Sequence, residues 1–184
     1  MNFNKIPADT FTKLQLGAGV LLKNFTPSTG AIEEGAQIGA TSGGVNFSAK
    51  PTFEDFGADI DNAPKNTKEL KRITDYTVTI SGTLLTVDDA TAKMLAAAAD
   101  TKDGKLTPRM NITEDDFSDI WWVGDHGDDG FIAICLKNVL NTGGFTIQTA
   151  DKAKGKFSFE FTAHFSIDAP ETVPYEIYLG EVTA

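Results

Sequence analysis

At 184 residues and 19.7 kDa the chain has the size of one domain with room for a proper core. Hydrophobic residues make up 41% and charged residues 23%, which excludes wholesale disorder. No apolar run approaches the about 20 residues that a bilayer-spanning helix needs, so no membrane insertion is expected. Sixteen basic against 26 acidic residues give a formal charge of −10, which repels phosphates and makes tight nucleic-acid binding unexpected. A protein that passes DNA without holding it would carry such a charge, and so would any abundant protein kept soluble.

Met1–Thr12 reads as an extended N-terminal arm; it has no basic segment leading into an apolar stretch, so no secretory signal is expected. A strand over Leu14–Phe25 follows, then a turn rich in Pro27, Ser28, Thr29 and Gly30. The next strand, about Gln37–Phe47, contains Gly43–Gly44, whose permissive backbone suits a bulge. Ala49–Arg72 has Pro51 and Pro64, no convincing period, carboxylates first (Glu54, Asp55, Asp59, Asp61) and cations later (Lys65, Lys68, Lys71, Arg72). Such a stretch is expected to be a long loop, and loops of this length are usually functional. Its Phe53, Phe56 and Ile60 read as anchors seeking a surface, either on a neighbouring subunit or on the chain's own core.

Tyr76–Val87 alternates, with Tyr76, Val78, Ile80 and Leu84 opposite Thr77, Thr79, Ser81 and Thr83. It feeds a helix expected over about 88–100, with Asp88 as its cap and Asp89 at its positive end. Ala90, Met94, Ala97 and Ala98 would form its apolar stripe, and Lys102, Asp103 and Gly104 would end the segment. Leu106–Ile112 and Asp119–Val123 are expected strands, the second carrying adjacent Trp121 and Trp122. Phe131–Leu140 and Phe145–Gln148 flank Asn141–Gly144, a tight-turn sequence. Lys154–Ile167 has the clearest pattern: Phe157, Phe159, Phe161, Ala163, Phe165 and Ile167 alternate with polar residues, which fits a strand of about 45 Å with one greasy and one wet face. Tyr175–Leu179 supplies a last short strand, within a C-terminal strand or arm over 168–184. One helix among about eight strands predicts a mainly β chain, a sandwich or barrel.

Chemistry is sparse. Cys135, the single cysteine, lies in the apolar run Phe131–Leu136 and reads as a small buried hydrophobe. Gly124–Gly130 brings together Asp125, His126, Asp128 and Asp129, which could ligate a hard cation, but their spacing is not that of a calcium loop. Asp125, Asp128 and Asp129 are therefore weak metal candidates, and the segment equally reads as an exposed hairpin turn. His164 lies on the polar side of the long strand, as a surface or interface residue. There is no Walker A pattern, dinucleotide fingerprint or nucleophile elbow, and Gly39–Gly44 precedes a strand instead of opening a helix. Neither an enzyme nor a cofactor is expected. Long amphipathic strands without a catalytic motif point instead to a building block whose polar sheet face is put to use.

Four features in order carry a family likeness: Leu16–Leu22 (LGAGVLL), Thr41–Phe47 (TSGGVNF), Asp59–Asn62 (DIDN) and Tyr76–Val87 running into an alanine-rich helix. Together they make the chain resemble the major tail, or tail tube, proteins of long-tailed, non-contractile bacteriophages. The resemblance spans most of the chain but is diffuse, because the family has no short diagnostic motif. It implies a β-sandwich with a flanking helix, assembled into hexameric rings stacked as a tube around an acidic lumen that conducts DNA during ejection. It implies an inter-subunit stacking role for the 49–72 loop, with contacts from Phe53, Phe56, Asp59, Asp61, Lys68 and Arg72, and similar roles for the terminal arms. The implied partners are further copies of the chain, other tail proteins such as the tape measure and terminator, and DNA in transient passage. The implied place is the virion tail, assembled in the host cytoplasm. The lumen-facing residues are expected from the polar faces of Tyr76–Val87 and Lys154–Ile167. A contractile-tail or bacteriocin tube is a close variant. The alternative from another class is a β-sandwich binding module, carbohydrate-binding or baseplate-adhesive, with Trp121 and Trp122 as a sugar-stacking platform.

Overall fold

The computed structural model describes residues 6–127 and 130–181. Within them lie ten strands and one α-helix: β1 (Gln15–Leu22), β2 (Thr41–Asp55), β3 (Lys71–Leu84), α1 (Asp89–Leu95), β4 (Ala99–Lys102), β5 (Lys105–Pro108), β6 (Ser118–His126), β7 (Gly130–Asn141), β8 (Thr146–Gln148), β9 (Lys156–Thr162) and β10 (Tyr175–Glu181). The chain is mainly β, and every strand pair is antiparallel. The main sheet runs β1-β6-β7-β9-β3-β2, with β10 added to β7 and β8 to β9.

This sheet folds over on itself at β7. Residues Gly130–Leu136 pair with β6 on one edge and β10 on the other, whereas Leu140 and Asn141 pair with β9. Between them Asn138 adopts φ 50°, and its N–H turns aside to the Asp119 carboxylate at 3.0 Å. One leaf is therefore β1-β6-β7-β10 and the other β9-β3-β2 with β8. The core lies between them: Leu21, Ile120, Ile134 and Leu136 from the first meet Val78, Ile80, Leu84, Phe159 and Phe161 from the second. A second apolar cluster covers the outer face of the first leaf, where Phe25 and Ala36 of the β1–β2 connection close over Trp121, Val123, Phe131, Ala133 and Cys135. Burial on both faces explains why FIAICL reads as an unbroken apolar run. It also pushes the Cys135 thiol up to about 11.

The glycines of LGAGVLL build a bulge between Leu16 and Val20. Gly19 takes φ 68°, and a Cβ there would sit 2.5 Å from Trp122 Nε1, so the backbone can lie against the indole only because the side chain is absent. Gly43 and Gly44, at φ 80° and 76°, fall in the register shift between Thr41 and Val45 of β2.

Several boundaries differ from the expected ones. The helix ends at Leu95 rather than near 100, because Ala97 turns left-handed at φ 64°. Its buried side is Thr91 and Leu95, continued by Ala98 and Ala99, while Ala90 is exposed. Asp103 and Gly104 do not terminate a helix; at φ 52° and 73° they form the two-residue turn of the β4–β5 hairpin. Asn141–Gly144 is not a hairpin turn either, since β8 lies on the same edge of β9 as the end of β7. Asn141 is buried there, its amide donating to Leu95 O at 2.6 Å and Gly144 O at 3.0 Å while Oδ1 accepts from Glu160 N–H at 3.0 Å.

The strand expected over 154–167 covers only Lys156–Thr162. Phe159, Phe161 and Ala163 are buried as the alternation demands, but Phe165 and Ile167 are 38% and 94% exposed. The ladder stops because β10 occupies the edge of β7 that β9 would need next, starting at Tyr175↔Leu136. The 49–72 segment is also not one loop: β2 continues to Asp55 and β3 begins at Lys71, leaving 56–70 as the connection.

Candidate assembly surfaces

β2 and β3 outrun the sheet that holds them. β9 pairs with β3 only over Thr79–Leu84, whereas β2 stays paired with β3, across one bulge, out to Asp55↔Lys71. Residues 50–77 therefore form an arm: a two-stranded ribbon with a closed tip. Thr52–Glu54 and Lys71–Asp75 are exposed on both faces. The bulge at Thr74 pairs Phe53 with Ile73, which sets both on the face that carries Phe47 and Ala49 against the core further back. Lys71 Nζ stands 5.6 Å from the Phe53 ring centroid. Pro51, which has no N–H to give, sits on this edge strand as strand chemistry requires.

The tip is a built knob. The Asp55 carboxylate accepts from Asn66 N–H at 2.9 Å and Gly57 N–H at 3.0 Å, and these bonds hold its pKa below the ordinary carboxylate value. Phe56 N–H donates to Leu70 O at 3.1 Å, closing the neck. Four large apolar side chains stand out among the charges of the arm: Phe53 and Ile73 on its strands and Phe56 and Ile60 at its tip are between 49% and 56% exposed.

All six sequence-predicted contact residues lie on this arm. Phe53 and Arg72 are on its strands, with Arg72 opposite Glu54; Phe56, Asp59, Asp61 and Lys68 are at the tip and exposed. Lys68 makes a surface ion pair with Glu69 at 3.4 Å. Ile73 escaped the sequence reading because it lies three residues from Tyr76, out of phase until Thr74 bulges. Ile177 and Leu179 were also missed, although the alternation of YEIYL carries them.

The two strands expected to supply a wet wall are neighbours. β3 and β9 pair from Thr79↔Thr162 to Leu84↔Phe157, so Thr79, Ser81 and Thr83 lie beside Thr162, Glu160 and Ser158 on one face. β2 extends this face with Asn46, Ser48 and Lys50. It is rich in hydroxyls and nearly balanced in charge, with Glu160 against Lys50 and Lys156; the chain's negative excess lies on other surfaces.

The remaining candidates fall apart spatially. Trp121 and Trp122 point to opposite faces of β6: Trp121 is buried in the outer cluster, and Trp122 is half-buried with its indole N–H on Ala18 O at 3.0 Å. They do not form a common platform. Asp125 is exposed near the end of β6, and Asp128 and Asp129 lie outside the described residues; no group of three potential metal ligands occurs among the described residues. His164 Nδ1 donates to Asn138 O at 3.0 Å, and its ring packs edge-on to Phe117. No helix among the described residues is long and apolar enough to cross a membrane. Compared with protein-family models and with curated proteins, the chain matches none.

Proposed function

We propose that this chain is a self-assembling structural subunit of the tail tube of a long-tailed, non-contractile phage, forming hexameric rings that stack into a passive conduit for DNA. The observation that carries the reading is the arm. A two-stranded ribbon in water is marginal by itself, and this one exposes four large apolar side chains that the described residues leave about half uncovered. Such a surface calls for a partner, and a second copy is the partner always at hand. The shared polar face of β3, β9 and β2 supports the conduit: a wall of hydroxyls stays wet, and with only Lys50 and Lys156 against Glu160 it offers no dense cationic patch to grip phosphate. In this reading the chain is not an enzyme, needs no cofactor, and meets the tape measure and terminator in the virion tail after assembly in the host cytoplasm. Negative-stain electron microscopy of the purified protein over a concentration series tests it. Hollow tubes or six-fold rings are the expected result; a monodisperse monomer at millimolar concentration would overturn it.

A further inference from the structure

We propose that the cleft beside the bend of β7 is a binding site for a small organic ammonium ion. The site is independent of the assembly reading, and none of its residues belongs to the arm. The cleft measures about 420 Å³, within the range of about 300–1,000 Å³ typical of small-molecule sites. Three separated parts of the chain wall it: the short helical turn at Glu114 with Phe117 behind it, the bend at Asn138, and the stretch from His164 to Asp168 that runs on past β9.

The walls are aromatic surface and hydrogen-bond acceptors. Phe117 and Phe165 supply the rings, Phe165 being 38% exposed, and Glu114 and Asp168 supply carboxylates. Among the described residues no lysine or arginine lines the cleft, and neither carboxylate forms an ion pair. His164 adds a third acceptor. Its Nδ1 lies 3.0 Å from Asn138 O; a carbonyl only accepts, so the ring proton sits on Nδ1 and Nε2 keeps its lone pair in the neutral imidazole. A neighbouring hollow shares Asn138, His164 and Ser166, and adds Asp119, Lys137 and Glu176. Lys137 is matched there by Asp119 at 3.1 Å, so the two hollows together hold four carboxylates against one lysine. An ammonium group on an apolar stem satisfies every part of this lining: its N–H donors and charge meet the acceptors, and the stem and charge lie against the rings. An anion would meet like charge, and a neutral apolar molecule would desolvate the carboxylates without replacing their partners. Because both carboxylates are exposed, each ion pair is weak alone, and the expected Kd is about 0.1–1 mM.

Equilibrium dialysis of radiolabelled cadaverine against the full-length protein tests the site, at about 150 mM salt to screen diffuse attraction. One saturable site per chain is expected, with no competition from pentanediol, which has the same length without the charge. Glu114→Gln with Asp168→Asn should weaken binding about tenfold or more with Tm unchanged. Glu34→Gln with Asp151→Asn removes as much charge from exposed positions outside the cleft, and should change binding by less than about twofold. Phe165→Leu, which keeps an apolar wall but removes the ring, should weaken it by about threefold. If binding does not saturate, or if both carboxylate pairs weaken it equally, cadaverine merely condenses on a chain of net charge −10 and the cleft is not a site. Competition by pentanediol would overturn the choice of a cation.

Discussion

Asn141 shows how much one side chain can hold. It ties the end of β7 to the C-terminus of α1 and to β9, and all of its amide is spoken for. Asn141→Leu keeps the volume but strips Leu95 O and Glu160 N–H of their partners, so it should cost about 2–3 kcal/mol in urea unfolding; a loss below about 0.5 kcal/mol would mean that the network is dispensable. Asp116 binds the chain through charge. It accepts from Thr113 N–H at 2.8 Å, Thr113 Oγ1 at 3.0 Å and Arg109 Nη2 at 2.7 Å, while Arg109 also reaches Asp100 at 2.9 Å. The Thr113 N–H above all, then its hydroxyl and Arg109, hold the Asp116 carboxyl below its ordinary value of 3.8. A carboxyl with a lowered folded pKa contributes its full stability above the ordinary value and loses it as pH falls toward the folded one. Stability should therefore decline below about pH 4, and Asp116→Asn should make that decline shallower without abolishing it, because Asp88 and Asp55 are shifted the same way. Tm measured against pH for both proteins checks this. At the helix start, Asp88 accepts from Thr91 N–H at 2.7 Å, and Asp88→Ala should cost about 1 kcal/mol.

The arm makes the clearest demand among the elements. With no third strand beyond Thr79 among the described residues, its amides should exchange with deuterium far faster than those of Thr79–Leu84 in the isolated chain, and should become protected on assembly. Equal protection of both stretches before assembly would show that the ribbon is stable alone. Phe56→Ser with Ile60→Ser should leave Tm within about 2 °C, since both side chains are largely exposed in the monomer, while removing assembly. The arm was half legible. Its anchors could be seen in the sequence because large apolar residues among charges have no other use, but the strands 49–55 and 71–75 could not. Two-sided exposure erases the period-2 signal, and the bulge at Thr74 shifts its phase. The reverse failure occurred at 163–167, where the alternation runs on but pairing stops, because what ends β9 is the competing strand β10 from far along the chain. Asp103–Gly104 was readable as a hairpin turn, but the alanine run before it carried the stronger helix signal.

At the scale of the whole molecule, the sandwich is closed where Tyr175 meets Phe47 and open beyond it, along β10 and along the arm. Stability should then depend on concentration: burying these surfaces between copies favours the folded, assembled form by mass action, so Tm should climb as the protein is concentrated toward assembly. A Tm that stays constant across the assembly threshold would mean the contacts form without stabilising the fold. The bend at Asn138 has a different consequence. Because one strand serves both leaves, neither can be removed as a unit: a chain break at the bend would detach β6 and β10 from β9 in a single event, whereas a break in a peripheral strand would cost only that strand. If such subunits form the proposed tube, it should give way between subunits before it gives way within one.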